Sequence, residues 1–154
     1  MKTPLVDRRL PSPLDNGKII IDIGSGARPY GNIQLDLLGG ESDKHHRRES
    51  VKPTVYADAH HLPFREGVVD RALYLHIIEH LHYPYGALKD GYRILKKGGS
   101  IRIELPNPRL WEHERDEHLY SWHPDTFHNI VKATGYTLVK YHQGGKNHSI
   151  EATK

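Results

Sequence analysis

The chain has 154 residues, 36% hydrophobic and 27% charged, with a formal net charge of +3, which suits one domain with a modest core. It holds no cysteine, which excludes disulfides, thiolate nucleophiles and cysteine-ligated metals. No apolar run approaches the ~20 residues that span a bilayer, and Met1 to Gly17 is polar with three prolines, unlike a secretory signal, so a cytoplasmic protein with no membrane partner is expected.

Residues 1–17 read as an extended lead-in and 18–154 as a single domain. Lys18–Ile23 reads as the first strand, and its run Ile19 to Ile23 is β-branched almost throughout, as suits a strand buried on both faces. It ends in Asp22-Ile23, followed by Gly24, Ser25 and Gly26, where glycine lets the backbone turn sharply and approach a ligand closely. Ile33–Leu37 reads as a second strand. Residues 38–53, with the block Lys44-His45-His46-Arg47-Arg48, read as a charged loop. Thr54–Ala57 is a third strand, Leu62 to Gly67 a turn, and Val69–Leu75 a fourth strand. Pro84 opens a helix to about Leu95 with Leu88, Tyr92 and Leu95 on one face. Lys96 and Lys97 complement its C-terminus, and Gly98 is placed to cap it.

Ser100–Leu105 alternates Ile101, Ile103 and Leu105 against Arg102 and Glu104, a fifth strand. Pro124 opens a helix carrying Phe127, Ile130 and Val131 and stopped by Gly135. Tyr136–His142 and His148–Thr153 form a hairpin through Gly144-Gly145. Strands alternating with helices, then a hairpin, predict an α/β fold with a mostly parallel sheet. The stretch before the third strand has almost no room for helices. A second subunit, as in a homodimer, or residues 1–17 and 38–53 are expected to cover the first strand.

The stretches IDIGSGARP, QLDL, YADAHHLPFREGVVDRALYLHIIEHL and GYRILKKGGSIRIELPN, in that order, resemble the class I S-adenosylmethionine-dependent methyltransferases, most closely the small type 11 branch, over about residues 18–153. The resemblance implies a Rossmann-like fold with its first helices shortened or missing, S-adenosyl-L-methionine as cofactor, and methyl transfer to an acceptor. It implies backbone contacts to the methionine part from Gly24, Ser25 and Gly26. Asp36, with Leu37 beside it, would take the ribose hydroxyls, since a carboxylate accepts two bonds at once. Asp58 and Ala59 would meet the adenine with Leu62 against its ring, and His76 would lie near the sulfonium.

A dinucleotide fits less well. The third glycine of that fingerprint is replaced by Ala27-Arg28-Pro29, and ten residues separate Gly26 from Asp36 against roughly 20 in the dinucleotide fold. A parallel crossover normally takes a dozen or more residues, so a pyrophosphate would lose its helix N-terminus. S-adenosylmethionine carries no phosphate and loses less.

Thirteen histidines call for an explanation. His76 and His80 are the candidate bases, because imidazole titrates in the useful range. A rival reading takes His76, Glu79 and His80 as the HxxEH pattern of the inverted zinc peptidases, with the histidines on one helical face and Glu79 as base. A third reading is a non-catalytic domain of the same fold. The segment Glu112 to His118 could hold a metal by composition, but reads more simply as a charged lid. No metal is assigned. A small-molecule acceptor is favoured, since the Asn/Asp-Pro-Pro-aromatic motif of amino-methylating nucleic-acid enzymes is absent, while the basic run 44–52 leaves an RNA or protein acceptor open.

Overall fold

Ile20–Ile23 forms β1, and all four residues are buried, with Ile21 and Ile23 fully inaccessible. The computed structural model to which β1 belongs describes residues 17–26, 29–37, 53–108 and 118–154. Nearly all of the lead-in, the basic block 44–48 and residues 112–117 lie outside these.

Six further strands follow: β2 (Ile33–Asp36), β3 (Val55–Tyr56), β4 (Val69–Leu75), β5 (Leu95–Pro106), β6 (Thr137–Gly144) and β7 (Asn147–Thr153). Among the described residues the helices are α1 (Pro84–Ile94) and α2 (Pro124–Ala133), with one 3-10 turn at Ile78–His80. The strands form one sheet in the order β3-β2-β1-β4-β5-β7-β6. The first five pair in parallel, and β7 runs antiparallel between β5 and β6. The order reverses between β1 and β4, and the carboxyl ends of strands beside such a switch are where open α/β sheets bind ligands.

Register divides the sheet into two unlike faces. On one, Ile21, Ala72 and Ile101 align across β1, β4 and β5, as do Ile23, Tyr74 and Ile103, and Ala152 and Ile150 continue these rows onto β7. Both helices pack here through Ala87, Leu88, Gly91 and Ile94 of α1 and Phe127 and Val131 of α2. Burying one such aliphatic or aromatic side chain stabilises the fold by about 2–3 kcal/mol. Tyr74 and Tyr136 donate their hydroxyls to the Ala87 and Leu88 carbonyls at 3.1 and 3.0 Å, and burial pushes both phenols up, so they remain donors.

The opposite face is polar along β4, β5 and β7. It carries Arg71, Arg102, Glu104 and Glu151, joined by ion pairs of 3.1 Å (Arg71–Glu151), 2.6 Å (Arg102–Glu104) and 3.6 Å (Arg102–Glu151). Such half-exposed pairs contribute little stability each, but they leave that face of β4, β5 and β7 with less apolar surface to cover. Of the apolar residues there, Ile20 and Leu73 are already buried within one chain, and Leu75 is partly buried. The burial of β1 therefore does not depend on a second subunit.

Two local expectations need correction. The helix ends at Ile94, and Leu95 is already the first residue of β5. Val69 pairs with Leu95 and Arg71 with Ser100, so residues 96–99 form a bulge. Gly98 does adopt a left-handed φ of 77°, but in that bulge rather than as a helix cap. Lys96 reaches the Asp70 carboxylate, 2.9 Å from each oxygen, and this ion pair, with the Ile19 N–H, holds Asp70 below the usual carboxylate range. On α1, Tyr92 is only partly buried, set edge-on against Tyr136 with centroids 5.1 Å apart.

Candidate functional site

At the carboxyl end of β1 the chain turns through Gly24 (φ 71°) and Gly26 (φ 51°). The N–H groups of Gly24 and Ser25 both donate to the Leu35 carbonyl, at 2.8 and 3.1 Å, which clamps the turn onto β2. The two glycines differ in what surrounds them. A Cβ on Gly24 would meet Ile77 Cγ1 at 2.5 Å and Cδ1 at 2.6 Å, whereas one on Gly26 would meet nothing within 4 Å. Gly24 thus makes room for Ile77, and Gly26 opens onto free space at the sheet end. Gly24→Ala is expected to cost about 2–4 kcal/mol, combining a left-handed backbone with overpacking. Equilibrium denaturation measures it, and Ile77→Ala in the same chain should recover part of the loss.

Asp36 ends β2 and accepts the Gly26 N–H on Oδ2 at 2.8 Å. Beside it, Leu37 and, on the paired β3, Tyr56 expose large side chains, 63% and 59% accessible. A carboxylate flanked by exposed apolar side chains suits a ligand with hydroxyls on one part and a ring on another.

Asp22 is a residue whose role the sequence did not reveal. It is 2% exposed, and its Oδ2 accepts the Tyr30 N–H at 2.6 Å, holding the end of the turn. Burial, with the Asp36 charge adding to it, pushes its carboxyl up to about 7 despite the Tyr30 bond. Two acids at adjacent strand ends create a local preference for a cation.

Asp58 sits in the turn after β3. Its Oδ1 accepts the His60 N–H at 2.8 Å and lies 2.7 Å from His60 Nδ1, and these bonds hold it below the usual carboxylate range. The Tyr83 N–H donates to His60 Nε2 at 3.3 Å, which leaves the proton of a neutral ring on Nδ1, facing Asp58. Ala59 and Leu62 are 8% and 4% exposed and belong to the core cluster, so Leu62 has little side chain left for a ring. The segment is fixed by two side chains that sequence reasoning passed over. Asp90 Oδ2 accepts the Leu62 N–H at 2.6 Å, and Arg93 donates to the Phe64 and Leu62 carbonyls at 2.8 and 3.0 Å while pairing with Asp90 at 2.6 Å. Their i, i+3 spacing on a polar helix face was the available signal.

His76 follows β4, next to β1 in the sheet, and its φ of 57° makes it unique among the described non-glycine residues. Left-handed backbone at a side chain of this kind costs of order 1 kcal/mol and collects at functional sites. Its N–H donates to the Glu104 carbonyl at 3.0 Å and its ring is about one-third exposed. The stretch from His76 to His80 is a bend followed by a 3-10 turn, so the two histidines do not share a helical face. That removes the geometry on which the zinc-peptidase reading rested.

Comparison with known proteins agrees with the motifs. Residues 33–103 match the family model described as "Methyltransferase domain". A demethylmenaquinone methyltransferase of Protochlamydia amoebophila (strain UWE25) is 40% identical over 55 residues, 35% of this chain and 23% of that protein, so the chain matches less than a quarter of that relative's length. Among solved structures, an S-adenosylmethionine-dependent methyltransferase of Thermotoga maritima, described as a possible histamine N-methyltransferase, superposes with TM-score 0.70 at 20% identity, over 88% of this chain and 82% of that one. A structure described as the "Complex between the Haloferax volcanii Trm112 methyltransferase activator and the putative methyltransferase" does so with TM-score 0.69 at 13% identity, over 94% and 84%. The solved structures thereby show the Rossmann-like methyltransferase fold, and the family-model match, over less than half of the chain, supports the sequence resemblance to methyltransferases. Among the described residues no helix is long and apolar enough to cross a membrane.

Proposed function

We propose that this chain is an S-adenosylmethionine-dependent methyltransferase acting on a small-molecule acceptor. The observation that carries the reading is the joined pair of Gly26, open on its Cβ side, and Asp36, bound to its N–H at 2.8 Å, at the switch point of a sheet of this family's order.

The residues present fit the cofactor. The backbone of Gly24, Ser25 and Gly26 would hold its methionine part, Asp36 its ribose hydroxyls, and Leu37 and Tyr56 would border the adenine with Asp58 and Ala59. The raised Asp22 carboxyl, behind the turn, favours a ligand bearing positive charge. When bound, the cofactor supplies an activated methyl group and its own leaving group. The protein's contribution is alignment, which can be worth several kcal/mol, and removal of a proton where the acceptor is a hydroxyl or an amine. His76, held at the mouth by its strained backbone, is the base in this reading.

His76→Asn tests the base, because asparagine tolerates the left-handed backbone. It is expected to lower kcat by about 100-fold or more with little change in cofactor affinity. The assay follows transfer of labelled methyl from S-adenosylmethionine to a panel of hydroxyl- and amine-bearing small molecules, with RNA and protein acceptors alongside. Turnover on none of them with intact cofactor binding would favour a non-catalytic domain. The Haloferax neighbour, seen with an activator, supports including a partner protein in that screen.

A further inference from the structure

Past His76 the chain enters the 3-10 turn Ile78–His80, which lies against His118, the residue from which the chain proceeds to α2. Ligand atoms of Glu79, His80 and His118 all fall within 4.8 Å of one another. The His80 and His118 rings meet edge to face with centroids 4.8 Å apart. Glu79 is 1% exposed, and neither carboxylate oxygen has a hydrogen-bond partner. The His76 ring approaches one of them, with Nδ1 3.5 Å from Oε1. The two segments are joined independently by two further hydrogen bonds: the Leu119 N–H donates to the Glu79 carbonyl at 2.9 Å, and the Tyr120 hydroxyl to the His82 carbonyl at 3.1 Å.

A buried carboxylate with no donor is expensive, and native structures satisfy such groups with a hydrogen bond, a counter-charge or a metal. We infer that Glu79, His80 and His118 bind a divalent transition-metal ion of the zinc class. Two imidazole nitrogens and one carboxylate oxygen are ligands zinc accepts, while magnesium and calcium prefer all-oxygen sites. Ligands about 2 Å from a tetrahedral ion sit about 3.3 Å from one another, so side-chain adjustments of about 1 Å bring the three onto one centre. Three protein ligands leave a fourth position for water or another donor.

The site differs from the peptidase pattern. Glu79 is a ligand here rather than a base, and the third ligand comes from a segment 38 residues away along the chain (118 − 80). The ion ties the β4–α1 connection to the stretch ahead of α2. It also assigns His80 to the metal and leaves His76 as the base. Nothing in this inference depends on the cofactor reading.

The full chain, stripped with a chelator and shown to be folded by circular dichroism, is titrated with Zn²⁺ against a chromophoric chelator and with Co²⁺ by visible absorption. The expected result is one ion per chain, a cobalt spectrum of low coordination number and a raised Tm. Glu79→Gln and His118→Ala should each weaken binding at least tenfold, while His142→Ala, on an exposed position of β6, leaves it unchanged and controls for loose binding to other histidines. Metal-free Glu79→Gln should be at least as stable as the metal-free wild type, because it removes a buried charge, and this keeps the test decisive if His118→Ala fails to fold. Absence of one-to-one binding by the folded chain, or binding untouched by Glu79→Gln, overturns the inference.

Discussion

Asp36→Ala is expected to weaken S-adenosylhomocysteine binding by 100-fold or more. The carboxylate has two roles in the proposed site. Its Oδ2 accepts the Gly26 N–H at 2.8 Å, which fixes the turn at the mouth, and the charge would accept from the ribose diol. Hydrogen bonds to a charged group contribute about 1.5–3 kcal/mol each, so losing a pair of them costs on the order of 3–5 kcal/mol, where 1.4 kcal/mol is a factor of about ten. Asp36→Asn keeps one acceptor oxygen and should lose less, about tenfold. Calorimetry on both variants separates the roles. Equal losses would mean that charge matters more than acceptor geometry, and no loss in either would remove Asp36 from the site.

Asp22→Asn should change the pH dependence of stability in a stated direction. The Asp22 carboxyl is raised from 3.8 to about 7. Between those values the native state binds more protons than the unfolded chain, so the contribution of this group is full below about pH 4 and is lost as pH rises towards 7. The loss by pH 8 is on the order of 4 kcal/mol. Asparagine preserves an acceptor for Tyr30 without the buried charge. The variant should therefore be the more stable protein at pH 8, with the advantage fading by pH 5. Asp58 and Asp70, held low by their partners, contribute the opposite slope below about pH 4, which is why wild type and variant are compared at each pH. A bound cation at the strand ends pulls the Asp22 carboxyl down, so S-adenosylmethionine binding should release a proton near pH 7 and tighten from pH 6 to pH 8. Denaturation and calorimetry in buffers of different ionisation enthalpy measure the two effects.

Much of this fold was legible because its signals are local. The β-branched run into Gly24, the period-2 alternation of Ile101, Ile103 and Leu105, and Pro84 and Pro124 at helix starts each follow from backbone chemistry within a few residues. What was not legible depended on distance. Nothing near Gly24 in the chain says that Ile77 will fill the space beside it. The bulge at 96–99 sets Lys96 against Asp70 of another strand, a pairing that neither local sequence announces. The alternating charges of β4, β5 and β7 were visible one strand at a time, but their assembly into a polar face needs the register. Asp22, Asp90 and Arg93 act through partners 8 to 31 residues away, and His118 meets Glu79 and His80 from 38 residues further along the chain.

Titration of S-adenosylmethionine into the folded wild-type chain by calorimetry is the most direct test of the central claim, that the β1 and β2 strand ends form a cofactor site. Saturable one-to-one binding, accompanied by proton release near pH 7, is the predicted result. Absence of binding by folded protein at millimolar cofactor would contradict it, and would mean that the short connection between Gly26 and Asp36 does not form a site for S-adenosylmethionine.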